Sequence, residues 1–147
     1  MAADFPTLVG RFIHHCGALE FFTNNAIKAF ATDPLLSNDA IESSWYKRIG
    51  LLRRLLHERS DVEKYGIKSL CDELDEVRKQ RNIVAHNPIV STEPNGSGTE
   101  AILVVRHKPA GVTIPEKLTR EDVARLVEQS RKLMIKFAEL VPAATKT

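Results

Sequence analysis

The sequence predicts a mainly α-helical fold, a bundle of four to five helices with a small β-hairpin inserted before the last one. Three observations carry this. Apolar residues recur at spacings of three and four along three long stretches before residue 88 and one after residue 118. Proline- and glycine-containing breaks separate those stretches. Between the third and fourth lies a strand-length apolar run, Ile102-Leu103-Val104-Val105, bounded by turn residues. Long amphipathic helices bury their stripes against one another, so a bundle is the default architecture.

The first helix is expected from Thr7 to Phe30, with Leu8, Phe12, Cys16, Leu19, Thr23, Ala26 and Phe30 on one face. Asp33-Pro34 ends it. Ser37 is placed as the cap of a second helix from Asn38 to Glu58, with Ile41, Trp45, Ile49, Leu52 and Leu56 as its stripe and Gly50 weakening it. The third runs from Ile67 to His86 on Ile67, Leu70, Leu74, Val77 and Val84; Arg81 interrupts the stripe and Pro88 stops the helix. Residues 89–118 form the insertion: Ile89-Val90 as a short strand, Pro94 to Gly98 as a loop, and 102–105 pairing through Pro109-Ala110-Gly111 with Val112 to Ile114. Thr119 caps the last helix, with Asp122 as the capping-box acid. Its face is Val123, Leu126, Val127, Met134, Phe137 and Leu140, Pro142 closes it, and 142–147 read as a disordered tail.

The 147 residues suit one domain, and 43% hydrophobic with 27% charged residues suits a soluble globular protein. A net charge of +2 argues against a dedicated duplex-coating protein but permits a local basic patch. Cys16 and Cys71 fall at apolar helix positions and read as reduced, buried thiols of a cytoplasmic protein. No signal peptide or membrane span is expected.

The sharpest motif is Arg81-Asn82-Ile83-Val84-Ala85-His86, followed by Asn87-Pro88. Arginine binds phosphate through a planar fork of donors. Histidine gives and takes protons near neutral pH. Together they suit RNA phosphodiester cleavage, in which a 2′-hydroxyl loses its proton and the phosphate gains negative charge. Arg81 and His86, five residues apart, point about 140° apart on an ideal helix, whereas Asn82 and His86 share a face. The last turn is therefore expected to fray or tighten at His86, before Asn87-Pro88. Each residue also has an ordinary structural role open to it: Arg81 pairing with Glu76 or Asp75, His86 as a cation at a helix C-terminus, Asn82 as a solvated polar residue, Asn87 as a left-handed helix terminus.

The Arg-Asn-x-x-Ala-His-Asn-Pro sequence late in a helical domain resembles the R-x4-6-H motif of HEPN domains. The order of helices is similar over most of the chain; only the motif is specific. The resemblance implies a homodimer in which two motif copies form one cleft and cleave RNA without a metal or other cofactor. Arg81 would hold the scissile phosphate, His86 would act as general acid or base, and Asn82 would orient either. Glu20 would match an acidic residue of several branches of the family, and Asn87 adjoins the motif. Toxins, phage-defence and stress effectors belong to this class, some silenced by an antitoxin or a nucleotidyltransferase. The inserted hairpin is not part of the family's minimal pattern. Dimerisation has a separate rationale: a two-fold contact between motifs gathers cations that repel unless an anion, naturally a phosphate, lies between them.

Lys47, Arg48, Arg53, Arg54 and Arg59 form a basic run alternating with the apolar stripe of the second helix, which places them on its outer face. They are either an RNA-guiding patch or a solvated surface. Trp45 and Tyr46 stand at the start of the run, but little aromatic residue is interleaved with it, so base stacking there is not expected, and Trp45 reads as core. His14, His15, Cys16, His57, Cys71 and His107 lack metal-ligand spacing, so no metal site is expected. Three functions remain: a metal-independent endoribonuclease, a non-catalytic HEPN-like module that binds RNA, a nucleotide or a partner, or a helical scaffold with no nucleic-acid role.

Overall fold

The computed structural model describes residues 3–33, 42–58, 67–91, 100–107 and 113–145. In chain order these form α1 (Phe5–Phe30), α2 (Trp45–His57), α3 (Ile67–His86), β1 (Ile89–Ser91), β2 (Glu100–His107), β3 (Thr113–Leu118) and α4 (Arg120–Thr145). The fold is mainly helical, with a small antiparallel sheet ahead of the last helix, as the sequence predicts.

Helix α1 is the hub and packs on all three other helices. Every residue of its predicted stripe is buried, from Leu8 to Phe30. Against it α4 runs in the same direction: His15 meets Ser130, and seven residues on Phe22 stacks on Phe137 at 6.1 Å. Helices α2 and α3 run oppositely, pairing Tyr46 with Arg78 and Arg53 with Asp72. Phe12, Leu19, Ile49, Leu52, Leu70, Leu74 and Phe137 fill the shared core. Ser130 and Leu133 of α4, absent from its predicted stripe, are buried too.

The helix starts follow from side chains that satisfy otherwise orphaned N–H groups. Asp4 accepts from the Thr7 amide at 2.8 Å, so α1 begins at Phe5, two residues earlier than expected. Ser44 accepts from the Lys47 amide. Helix α2 therefore starts at Trp45 rather than Asn38, and 42–44 are not helical; serine hydroxyls compete for the backbone and favour a cap over a helix interior. The proposed cap Ser37 and stripe residue Ile41 lie outside the described residues. Thr119 and Asp122 form a reciprocal capping box: the Thr119 amide donates to Asp122 Oδ2 at 2.8 Å, and the Asp122 amide donates to Thr119 Oγ1 at 3.2 Å.

The insertion is a three-stranded sheet in the order β1-β2-β3. Ile89 pairs with Ile102, and Ile102 with Leu118. Ile102 is fully buried and carries the sheet onto the helical core. Pro115 sits on edge strand β3, where a missing N–H is tolerated.

One expectation fails at the C-terminus. Helix α4 runs through Pro142 to Thr145, so 142–145 are helical rather than a disordered tail. Proline removes one helix hydrogen bond. With Leu133 and Phe137 anchoring the helix upstream, that loss near its end does not terminate it.

The Asp122 carboxyl lies below its ordinary range because the Thr119 amide donates to it, with burial opposing and Arg125 adding to the effect. A depressed carboxylate contributes stability above its unfolded pKa and loses it as pH falls through the folded one. Asp122→Ala is expected to cost about 1 kcal/mol in urea denaturation near neutrality. That difference should shrink as the pH is lowered into the acid range.

Candidate functional site

The motif occupies the last turns of α3, and its side chains part company. Arg81 leaves its own helix and reaches α1, where its Nη2 donates to Glu20 Oε1 at 3.1 Å. The alternatives on its own helix are otherwise engaged: Asp75 pairs with Arg78 and Lys79, and Glu76 accepts from Gln80. Glu20 offers its second oxygen to α2, where Arg48 Nη2 donates to Oε2 at 3.2 Å. Arg48 Nη1 donates to Asn24 Oδ1 at 2.7 Å. One carboxylate thus joins two guanidiniums from two helices.

A buried polar chain supports this clamp. Trp45 Nε1 donates to Thr23 Oγ1 at 3.2 Å, and Thr23 donates to the Leu19 carbonyl at 2.7 Å. The Trp45 ring lies 5.7 Å from the Arg81 guanidinium carbon, a cation–π distance. Trp45 is core, as predicted, and also a wall of the arginine site.

Two cations share one carboxylate, which leaves a net positive charge at this junction. The Arg81 side chain is 31% exposed, so part of it meets solvent. The Nε atoms of both Arg48 and Arg81 are buried without a hydrogen-bond partner. A buried donor left without a partner costs free energy, and the excess charge suits an anion.

His86 is exposed at the end of α3, with no side-chain partner among the described residues. Asn82 is exposed as well. Helix α3 stays α-helical through His86, so the expected fraying or tightening does not occur. Asn87 is the reason: its Nδ2 donates to the Ile83 carbonyl at 2.7 Å and satisfies the helix end. Arg81 and His86 therefore keep their wide angular separation, and one chain does not bring them together. Asn82 and His86, four apart, share the exposed face.

The basic run of α2 divides. Lys47, Arg53 and Arg54 are exposed, with Arg53 held to Asp72 at 2.9 Å. Arg48 is not on the outer face as expected; it is 8% exposed and belongs to the Glu20 clamp. It lies three residues after Trp45 and four before Leu52, and so on the buried stripe itself. Arg59 lies outside the described residues. The sequence reading also missed Asn24, which anchors Arg48; its place on α1, four residues after Glu20, was the available signal.

The remaining reactive groups are inert in this setting. Burial pushes the Cys16 thiol up to about 12 against the opposing pull of Arg81, and the Cys71 thiol up to about 11. Ser130 lies 2.9 Å from His15 Nδ1 but is fully buried and donates to the Val127 carbonyl, so it cannot serve as a nucleophile. No cluster of metal-ligating side chains occurs among the described residues. None of the described helices is long and apolar enough to cross a membrane.

No known protein family matches the chain, and neither a curated protein nor a solved structure matches it.

Two outcomes follow. Glu20→Gln should lower stability by about 1–3 kcal/mol in urea denaturation, because it leaves one buried and one half-buried guanidinium without their anion. At about pH 8, where an ordinary thiol is partly ionised, Cys16 and Cys71 should resist alkylation in the folded protein and react on unfolding.

Proposed function

We propose that this chain is a metal-independent endoribonuclease whose working unit is a homodimer of HEPN-like domains. The observation that carries the reading is the surplus cation at the Arg48–Glu20–Arg81 junction, with Arg81 on the same helix end as His86, which has no side-chain partner among the described residues. Glu20 engages Nη2 of Arg81 and holds the guanidinium in place, which reduces the entropy lost when it meets a phosphate. His86, exposed at the helix end, is free to meet a substrate or a second protomer.

In this reading Arg81 stabilises the charge that builds on the phosphate oxygens. An imidazole of one protomer takes the 2′-hydroxyl proton as the 2′-oxygen–phosphorus bond forms. The bond to the 5′-oxygen breaks, and the second imidazole returns a proton to that leaving oxygen. The products are a 2′,3′-cyclic phosphate and a 5′-hydroxyl, with no redox change and no cofactor. Asn82, on the face it shares with His86, orients the phosphate or the imidazole. The divergence of Arg81 and His86 within one chain fits a site that two chains complete. The setting is the cytoplasm, where such an enzyme acts as a toxin or a stress or phage-defence effector, held in check by an antitoxin or nucleotidyltransferase partner.

A second reading draws on one observation: Arg81 is already ion-paired and faces away from His86. A non-catalytic module that binds RNA, a nucleotide or a partner needs no more than that.

The two are separated by incubating the purified protein with total RNA in EDTA. Wild type should cleave. Arg81→Ala and His86→Ala should each lower the rate by roughly two to four orders of magnitude while the protein still elutes as a folded dimer. Cleavage retained in both variants would overturn the nuclease reading; RNA binding with no cleavage by wild type would establish the second.

A further inference from the structure

Outside the arginine clamp, α2 and α3 enclose a groove of about 530 Å³. Its cationic lining is Lys47, Arg53 and Arg54, against a single anion, Asp75. That anion is largely spent within the protein. Burial raises the Asp75 carboxyl, but Arg78 and Lys79 outweigh it and hold the group below its ordinary range. Arg53 is tied to Asp72, whereas Lys47 and Arg54 have no side-chain partner among the described residues. The groove therefore presents two free cations.

Tyr46 also lines the groove, and the residue is 63% exposed. Single exposed apolar residues are ordinary, and Phe21 is as exposed; what sets Tyr46 apart is its cationic neighbour. The guanidinium of Arg78 lies 4.9 Å from the ring centroid and is itself fixed by Asp75 at 2.9 Å. One face of the ring is thereby held by a cation, and the ring presents a prepared planar surface to solvent.

The floor of the groove includes Gly50, in the middle of α2. Glycine there costs a helix about 1 kcal/mol relative to alanine. A Cβ added at Gly50 would meet nothing within 4 Å, so packing does not require the glycine. The space left by its missing side chain is part of the groove.

We propose that this groove binds single-stranded RNA, with one base stacked on Tyr46 and the adjoining phosphates held by Lys47 and Arg54. A planar ring beside free cations in an open groove matches the alternation of base and phosphate along a strand. A duplex hides its base faces and does not fit. The assignment deepens the RNA reading above, from which it takes the nature of the polymer; it places substrate binding on α2, apart from the cleavage groups at the end of α3.

The test is fluorescence anisotropy with a short labelled 2′-O-methyl RNA strand, which lacks the nucleophilic hydroxyl and cannot be cleaved by the proposed route. Tyr46→Ala should weaken binding about tenfold, and Tyr46→Phe, which keeps the ring, should restore it. Gly50→Met, which fills the groove without changing charge, should weaken binding comparably. Replacing Lys47 and Arg54 together by glutamine should reduce the salt dependence by about 1.4 in the log–log slope. Circular dichroism and thermal melting confirm that each variant is folded. Wild-type affinity in both Tyr46→Ala and Gly50→Met overturns the proposal, as does a wild type that does not bind the strand. Equal affinity for a free nucleoside monophosphate and for the strand overturns the strand assignment. Tyr46-dependent binding without cleavage of ordinary RNA leaves this groove standing and removes only the nuclease reading. Cleavage that depends on His86 with unchanged binding in Tyr46→Ala does the reverse.

Discussion

The Glu20 carboxylate sits where three helices meet, and it gives one oxygen to Arg48 of α2 and the other to Arg81 of α3. Without it, two guanidiniums would face each other across a half-buried space with nothing to balance them. Ion pairs of this kind are weak sources of stability, because desolvation offsets much of the attraction. They are effective at fixing geometry. Here the geometry includes the direction of Arg81, which leaves the surface of its own helix and turns towards α1. The surrounding apolar stripes supply the adhesion; the clamp sets where the cations point.

The same arrangement parts the two motif side chains within one chain. Arg81 is drawn inward by Glu20, and His86 faces outward because α3 keeps its regular geometry to the end. The Asn87 side chain on the Ile83 carbonyl stabilises that end, so the helix has no cause to distort. A chemistry that needs both groups on one phosphate must take them from different copies. In the proposed reading, the two arginines that share one carboxylate and the exposed His86 are two halves of one centre. In that reading the proposed groove on α2 would add a place for the rest of a strand, and its Lys47 and Arg54 are not engaged by Glu20.

Most of the architecture was legible because it rests on periodicity. The stripes of α1 and α3, the hairpin and the Thr119–Asp122 capping box all follow from local spacing. Errors fell where local rules compete. The α2 start moved to Trp45 because Ser44 captures the helix N-terminus, and Pro142 failed to stop α4 because packing upstream outweighs one lost bond. In the site, the motif named Arg81, Asn82 and His86, and the family resemblance named Glu20, but no spacing could show Arg81 and Glu20 meeting across 61 residues. Arg48 was misplaced because its charge was read before its position on the buried stripe. Tyr46 stood at the start of the basic run, where one ring is a weak signal until Arg78 is found 4.9 Å from it.

The dependence of Arg81 on Glu20 is tested most directly by a double-mutant cycle in single-turnover RNA cleavage, with wild type, Glu20→Gln, Arg81→Ala and the combined variant. If Glu20 acts by holding Arg81, the single Glu20 variant is slower than wild type and the combined variant is no slower than Arg81→Ala alone. Full activity in Glu20→Gln, or losses that simply add in the combined variant, would contradict the account.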